Sequence, residues 1–587
     1  MINEDHHHHG APLLTLNETA VLMWHSPTPP SYWTVDVVEG SGHKGLMIVH
    51  GIVMSAAFFV ALPAAIAMRS VKHAWRSVAT CAFYVLCIIG CSASALYTKI
   101  TPNMYEDQRH SRHGYFIILA AVCLSILDCI AIVGRMVVYF RSGDRRKSGL
   151  KGFWRSVILD REEDVVAGSP AEYTGLVAEP EEYDYPKPEA IDDETEPLHA
   201  RRKQPLLQPL QTHTSESSRR TIHWASDIHS HEHSRSAASD RTFIINALSP
   251  RKQYSDDTLY ESDGFSSVPQ TPLLHRIRCV AFGTIERGLV VGGFVQLLSG
   301  IVVYTGGCRE NYINGCLAHL IKGGIFWCYG LITFARFLGS FADLGWAWNR
   351  SPQGGYVSAE FVESFVIFTY GITNTWMERF GANAGDPFTT KQLQHISIAV
   401  MFWFAGLIGM GIESKRVRKW LAALSLQSAS NSAEASAEPP SYIASFNPFP
   451  ALVIGVTGAA MSAHAQAYVF QVQIHALWGY LLVGFAILRS LTYCFLWLGP
   501  PRSLLPSRPP TEALGSFFLA CGGLMFIFST EELTFAAMRQ GRDDMMFFLN
   551  AAVSLTCFAF CWTFCVVAFK GWLKSRTMPP LSYRNSA

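Results

Sequence analysis

Charged residues are scarce in this chain. Asp, Glu, Lys and Arg make up 16% of its 587 residues, while hydrophobic ones make up 49%, a balance that points to a membrane protein. Basic residues sit at the ends of apolar runs and form no aromatic-studded stripe, which argues against a nucleic-acid partner. No Cys-x-x-Cys pair occurs among the 14 cysteines, which argues against a zinc ribbon or a thioredoxin-like motif. Most of the cysteines lie inside apolar runs, where they act as small hydrophobes. A GxSxG elbow, a P-loop, an HExxH helix and a GxGxxG turn after a strand are all missing, so soluble enzymology is not expected. Without a flavin or nicotinamide domain, the chain is at most a transmembrane redox protein fed by an external donor. No apolar signal-peptide core precedes position 45, so the first span is expected to act as a reversed signal anchor; the alternative is a signal peptide missing from this sequence.

What the chain has in abundance is long apolar runs. Crossing hydrocarbon takes about 20 apolar residues as a helix, and in lipid only helices and closed barrels satisfy every backbone polar group. These runs are continuous rather than alternating, which excludes the barrel. The fold class is therefore all-α: a polytopic membrane protein of about 11 transmembrane helices in a 3 + 8 arrangement. The expected spans are 45–68, 76–98, 113–140, 279–305, 316–339, 359–380, 392–412, 450–466, 472–498, 514–530 and 545–572. Residues 1–44 read as a polar tail, 45–140 as a three-helix domain, 279–572 as an eight-helix domain with a linker at 422–449, and 573–587 as a tail. The block 141–278 is rich in Ser, Glu, Asp, Arg, Pro and His, and too poor in large apolar residues to offset its chain entropy. It is expected to be a disordered cytosolic loop.

Orientation follows from Lys and Arg near the span ends. With the amino terminus outside, Arg69, Lys72 and Arg76, the Arg141–Arg155 cluster, the Lys415–Lys419 cluster and Lys570–Arg576 all fall inside. The carboxyl terminus is then cytosolic, and the membrane is either the plasma membrane or an internal one. On the outside Asn17 opens a glycosylation sequon, and Cys308 and Cys316 flank a short loop where a disulfide is permitted. A second sequon at Asn349 would face the cytosol and is expected to stay unused. Ser249-Pro250 and Thr271-Pro272 would offer the 141–278 loop to kinases or cytosolic partners; an unconstrained insertion explains them equally well. His6 to His9 and the His213–His233 stretch could hold metal weakly, but compositional drift is the simpler account.

Ionisable residues at membrane depth are costly, so each is a functional candidate. His50, His113, His319, His395, His464 and His475 all fall in the outer portion of the bilayer. Neutral imidazole is a common metal and haem ligand, whereas one histidine near a helix end is usually interfacial or bonded to a carbonyl. His50 and His113 each precede a glycine, which permits close approach of a ring. A second set lies toward the inner half: Asp128 with Arg135, Glu286 with Arg287, Arg336, Glu360 with Glu363, and Arg489. Interhelical ion pairs would lower the cost of these charges. For Arg135, Arg336 and Glu360, snorkelling to the interface is the simpler account.

The run His50-Gly51-Ile52-Val53-Met54, with Phe58, Leu62 and Pro63, resembles the amino-terminal domain of the fungal Ytp-one-like membrane protein family. Met461 to Gln466, continuing through Gln473, His475, Trp478 and Gly479 to Arg489, is similar to that family's carboxyl-terminal domain. The likeness covers about 45–140 and 275–572 and implies a polytopic membrane protein without assigning a reaction. The same His-Gly-x-x-Met pattern also resembles the first haem-ligating helix of ascorbate-dependent and ferric-reductase-type b cytochromes. That likeness implies His50 and His113 as axial ligands of haem b. Those cytochromes draw ligands from four helices, so here a partner would have to come from the second helical block, or a single outer haem exists. Three functions follow as expectations: a haem- or transition-metal-binding electron carrier, with His464, His475, His395 and His319 as further metal candidates; a transporter whose polar pathway runs through Asp128, Glu286, Arg287, Glu360, Glu363 and Arg489; or a scaffold acting through its cytosolic loop.

Overall fold

The computed structural model describes residues 11–141, 152–158, 273–348, 357–377, 385–425, 446–499 and 509–576. Asn349, both Ser/Thr-Pro sites, the His6 and His213 stretches, most of the 141–278 block and most of the 422–449 linker lie outside them. Among the described residues the chain is helical, with no strand beyond one isolated bridge between Leu13 and Tyr468. The helices are α1 (Glu18–Trp24), α2 (Lys44–Ser70), α3 (Arg76–Ile100), α4 (His110–Arg141), α5 (Leu273–Thr305), α6 (Ile313–Phe337) and α7 (Ala359–Met377). They continue as α8 (Thr390–Glu413), α9 (Lys415–Ser425), α10 (Phe449–Ser462), α11 (Val469–Leu498), α12 (Pro510–Phe528), α13 (Glu531–Arg539) and α14 (Met545–Ser575).

Eight of these are long and apolar enough to cross a membrane, or nine when α4, which bends by 48° between Ile126 and Asp128, counts as one span. The expected count of 11 also needs α7 and α10. α10 is short at 14 residues, and α7, which carries Glu360 and Glu363, does not reach the apolar threshold. Each expected span has a helix, but these two are too polar or too short to be recognised as crossings by length and composition.

Local chemistry explains the shape of α2. Pro63 has no N–H to return to the Phe59 carbonyl, and the helix widens into a π-type turn over Ala57–Ala61 just before it. The freed Phe59 carbonyl accepts instead from Trp562 Nε1 on α14, at 2.6 Å. A neighbouring helix thus repairs the break, as lipid demands.

Helices α2, α3, α4 and α5 pack as one group, so the fourth long helix joins the first three in space although the 141–278 block separates them in sequence. In the remaining bundle α12 is the central element. Of its most apolar stretch 67% is buried, against 33% or less for the other spans. It is wrapped by α6, α11 and α14, and Trp478, Leu482, Phe485, Leu519 and Met525 form the core between them. Close approach here depends on small residues. A Cβ on Gly458 would lie 2.5 Å from the Gly479 carbonyl, and one on Gly479 2.4 Å from the Gly458 carbonyl, so α10 and α11 touch backbone to backbone.

Residues 11–43 are not a loose tail. Leu13 exchanges two 2.9 Å hydrogen bonds with Ala467 and Val469 at the start of α11. Asn17 Oδ1 caps α1, accepting from Ala20 N–H at 3.2 Å. His25 stacks on Tyr312 at 3.9 Å, and Arg539 holds Glu18 at 2.8 Å. Val21, Tyr312, Tyr468 and Phe535 bury this cap against the bundle.

Candidate functional site

The six histidines read from the sequence gather at one end of the bundle. The charges of α6, α7, α11 and α12 gather at the other. On α6 His319 and Arg336 are separated by 17 residues, and on α11 His475 and Arg489 by 14, about 25 and 21 Å of helix rise.

At the histidine end the rings form three pairs, two drawn from two helices each and the third from α8 and the connection that follows α10. His50 of α2 meets His110 of α4 with ring centres 6.2 Å apart and planes at 81°. His319 meets His475 at 6.0 Å and 85°, and His395 meets His464 at 6.4 Å and 47°. Two imidazoles bound to one metal through Nε2 have ring centres about 6 Å apart, given metal–nitrogen bonds of about 2 Å. Distance alone does not separate the three pairs; space does. Only His50 and His110 line the large cavity, about 300 Å³, enclosed by α2, α3, α4 and α5, a size within the range of small-molecule and cofactor sites. The smaller cavity of about 50 Å³ beside His395 does not reach His319 or His475.

His50 Nδ1 lies 2.9 Å from the Gly90 carbonyl. A carbonyl can only accept, so Nδ1 carries the proton and the Nε2 lone pair is left for a ligand. His110 Nδ1 lies 2.8 Å from Ser299 Oγ, whose own hydrogen goes to the Gln296 carbonyl at 3.1 Å. The Gln296 amide N–H reaches the His110 carbonyl at 3.2 Å and His110 Nδ1 at 3.1 Å, and its oxygen accepts from the Gly114 N–H at 3.2 Å. This is the outer-shell anchoring that a metal-ligating histidine requires. Tyr97 and Tyr304 also line the cavity, and their hydroxyls donate to buried Asp36 at 2.8 and 3.1 Å. Phe58 and Leu297 make its deeper wall apolar.

His113 is exposed, one turn beyond His110, and does not line the cavity. The structure therefore brings His50 to His110, a residue the sequence reading passed over. His110 lies ahead of the apolar run expected to begin at 113, while α4 starts at His110 itself. The His-x-x-His spacing was the available signal, since residues three apart share a helix face. His319 and His475 donate through Nδ1 to the carbonyls of Gly315 and Gln471 on their own helices, each at 2.8 Å.

At the opposite end Arg336 and Arg489 interlock with three carboxylates. Arg336 reaches Glu360 at 2.6 Å and Glu363 at 3.7 Å; Arg489 reaches Glu363 at 3.3 Å and Glu512 at 2.7 Å. Arg336 also lies 3.9 Å from the Trp348 ring centre. Glu360 and Glu512 occupy the first turns of α7 and α12, and Arg336 the last turn of α6, where helix dipoles favour each sign. Arg336 and Glu360 are thus a buried pair rather than snorkelling side chains. A separate group joins Arg69 to Asp128 at 2.7 Å and to Glu286 at 2.5 Å. Arg287 stays out of it, donating to the Gly283 carbonyl of its own helix at 2.8 Å, and Arg135 donates to the Val157 carbonyl at 3.1 Å rather than pairing with Asp128.

Cys308 and Cys316 form a disulfide. Together with Glu532 they are the one trio of His, Cys, Asp or Glu ligand atoms within 4.8 Å of one another among the described residues. The bonded sulfurs offer no thiolate, and Glu532 instead accepts the Cys308 N–H at 2.7 Å. Burial pushes the Glu532 carboxyl above its ordinary range, with that hydrogen bond opposing. The exposed Glu18 carboxyl is held below its ordinary range by the Arg539 hydrogen bond.

Two family models divide the chain. Residues 292–571 match "Protein YTP1-like, C-terminal", and residues 32–134 match "Domain of unknown function (DUF2427)". The carboxyl-terminal helical region is thus similar to YTP1-like proteins. An uncharacterized membrane protein of Schizosaccharomyces pombe is 40% identical over 293 residues, 48% of this chain and 57% of the relative. An uncharacterized membrane protein of Saccharomyces cerevisiae is 36% identical over 330 residues, 53% of this chain and 51% of the relative. Protein YTP1 of the same yeast is 28% identical over 269 residues, 45% of this chain and 50% of the relative. The chain thus matches about half the length of these relatives. No solved structure matches it. The YTP1-like C-terminal match contains the arginine–carboxylate network, while the His50–His110 cavity spans both matched regions, because α5 supplies one of its walls.

Proposed function

We propose that this YTP1-like protein is a haem b-binding membrane electron carrier, with His50 and His110 as the axial pair. The observation that carries the reading is the cavity: of three histidine pairs with similar spacing, this one opens on space enough for a cofactor. Donor chemistry supports the same group. His50 is anchored through Nδ1 on the Gly90 carbonyl and His110 through Nδ1 on Ser299 Oγ, and imidazole is an established ligand of haem iron. Gly51, Gly114, Gly293 and Gly300 line the walls; the missing side chain of Gly300 lets α5 pack directly against the His110 ring, 3.2 Å from where a Cβ would stand. Haem b, when bound, supplies one-electron exchange. The chain's own residues do the rest: Gly90 and Ser299 hold the rings, Phe58 gives an apolar wall, and Tyr97 and Tyr304 are fixed at the cavity by their bonds to Asp36.

The test is absorption spectroscopy of the purified full-length protein. A Soret band is expected in wild type, reduced at least tenfold in His50→Ala and in His110→Ala, and kept in His113→Ala. A wild-type protein free of haem after expression with haem supplied would sink the reading. So would a band that survives His110→Ala but vanishes in His113→Ala, or one bound zinc or copper per chain in place of iron.

A further inference from the structure

The arginine–carboxylate network at the other end of the bundle does not balance. Among the described residues two guanidiniums, Arg336 and Arg489, face three carboxylates, Glu360, Glu363 and Glu512, which leaves one negative charge when all are ionised. Four of these side chains are buried and Glu363 is nearly so; Glu512 is 1% exposed and Arg489 2%. Tyr329 and Tyr493, from α6 and α11, face the same cluster and bring no positive charge. An uncompensated charge in a water-poor helical bundle is among the costliest arrangements a protein can hold. Something of charge +1 must accompany the network.

We propose that this partner is an exchangeable proton, held on Glu512, which makes the C-terminal bundle a proton-binding site. The orphaned atoms decide between a proton and a metal cation. Glu512 Oε2 is buried with no hydrogen-bond partner, and so are the Tyr329 hydroxyl, Arg489 Nε, Arg336 Nη1 and Trp348 Nε1. Three of these five are N–H donors, which repel a cation, and two oxygens fall far short of the six or more that hard cations gather. A proton needs a single oxygen. Glu360 accepts from Arg336 through Oε1 and its other oxygen is not among the buried orphans, and Glu363 lies between both arginines. Glu512 binds Arg489 through Oε1 alone and has its second oxygen free. It also stands in the first turn of α12, the central helix, at the edge of the 499–509 connection. Losing the proton there restores a buried negative charge against the most enclosed helix of the fold.

This site lies in different helices from the histidine cavity and does not rest on haem binding. Infrared spectroscopy of the full-length protein in lipid nanodiscs tests it. A protonated carboxyl C=O band is expected at neutral pH in wild type and absent in Glu512→Gln, while Glu413→Gln, which alters a carboxylate bonded to Ser358 at 2.6 Å outside the network, keeps it. Because Gln mimics the neutral acid in shape, Glu512→Gln is expected to melt within a few degrees of wild type, so loss of the band cannot be put down to unfolding. The proposal is overturned by a wild-type spectrum with no such band at neutral pH, or by a band that persists in Glu512→Gln. A band that appears only when sodium and potassium are withdrawn would overturn it too, by assigning the charge to a metal cation.

Discussion

The two ends of this helical bundle handle polarity in opposite ways. At the histidine end, rings from α2, α4, α6, α8, α11 and the connection after α10 stand in pairs, and one pair borders open space. At the arginine end, five ionisable side chains of opposite sign interlock. The difference follows from what each group needs. A lone-pair ligand works only if room is left beside it for what it binds. A buried ion is tolerable only if its partner already fills that room.

Breaking the arginine end should have the largest effect. Arg489→Met strands Glu363 and Glu512, and losing one partner of a buried network costs about 3–5 kcal/mol. The expected outcome is a large loss of folded protein, read by size-exclusion of a fluorescent fusion. Combining it with Glu512→Gln should recover part of the yield; no recovery would mean the two residues do not share a charge balance. A control at the histidine end sharpens the contrast. His319→Ala should leave any haem absorbance within about 20% of wild type, since that pair has no cavity; loss comparable to His110→Ala would show that spacing alone, not space, selects the ligands.

The smallest effect lies in the cap. Glu532 is raised in the folded protein by burial, so the native state binds its proton more tightly than the unfolded chain. Its contribution to stability therefore grows as pH falls from neutral toward the ordinary carboxylate range, and is lost as pH rises through the raised value. Glu18, lowered by Arg539, acts in the opposite sense, losing its contribution as pH falls through its lowered value, but it is fully exposed and weakly coupled. Melting temperature followed from neutral to mildly acidic pH should thus change with the Glu532 sign, and Glu532→Gln should flatten the slope. A slope unchanged by that substitution would remove Glu532 as its source.

Hydropathy located every long helix, and the residues it missed share one cause. His110 and Glu512 lie in the first turns of α4 and α12, ahead of the apolar runs expected at 113 and 514. A window of hydrophobicity starts where the side chains become apolar, whereas the helix starts a turn earlier, at polar residues that cap it and face ligands or charges. Arg69 escaped as a partner for the converse reason: it follows the apolar run that ends at 68, inside a helix that continues to Ser70. The cap over residues 11–43 was read as tail because its anchors, Tyr312, Tyr468 and Phe535, are hundreds of residues away.

The amino-acid sequence by itself determined that this chain crosses a membrane as a set of helices, because backbone groups in lipid must be satisfied within each segment and the apolar runs state where. It also determined that polar side chains enter those helices at two depths. Only the tertiary structure decided which of them meet. His50 chose His110 over His113, α5 joined the first three helices across the long block, and Glu512 became the third carboxylate against two arginines. Those choices depend on helix rotation and neighbour, which a one-dimensional pattern does not encode.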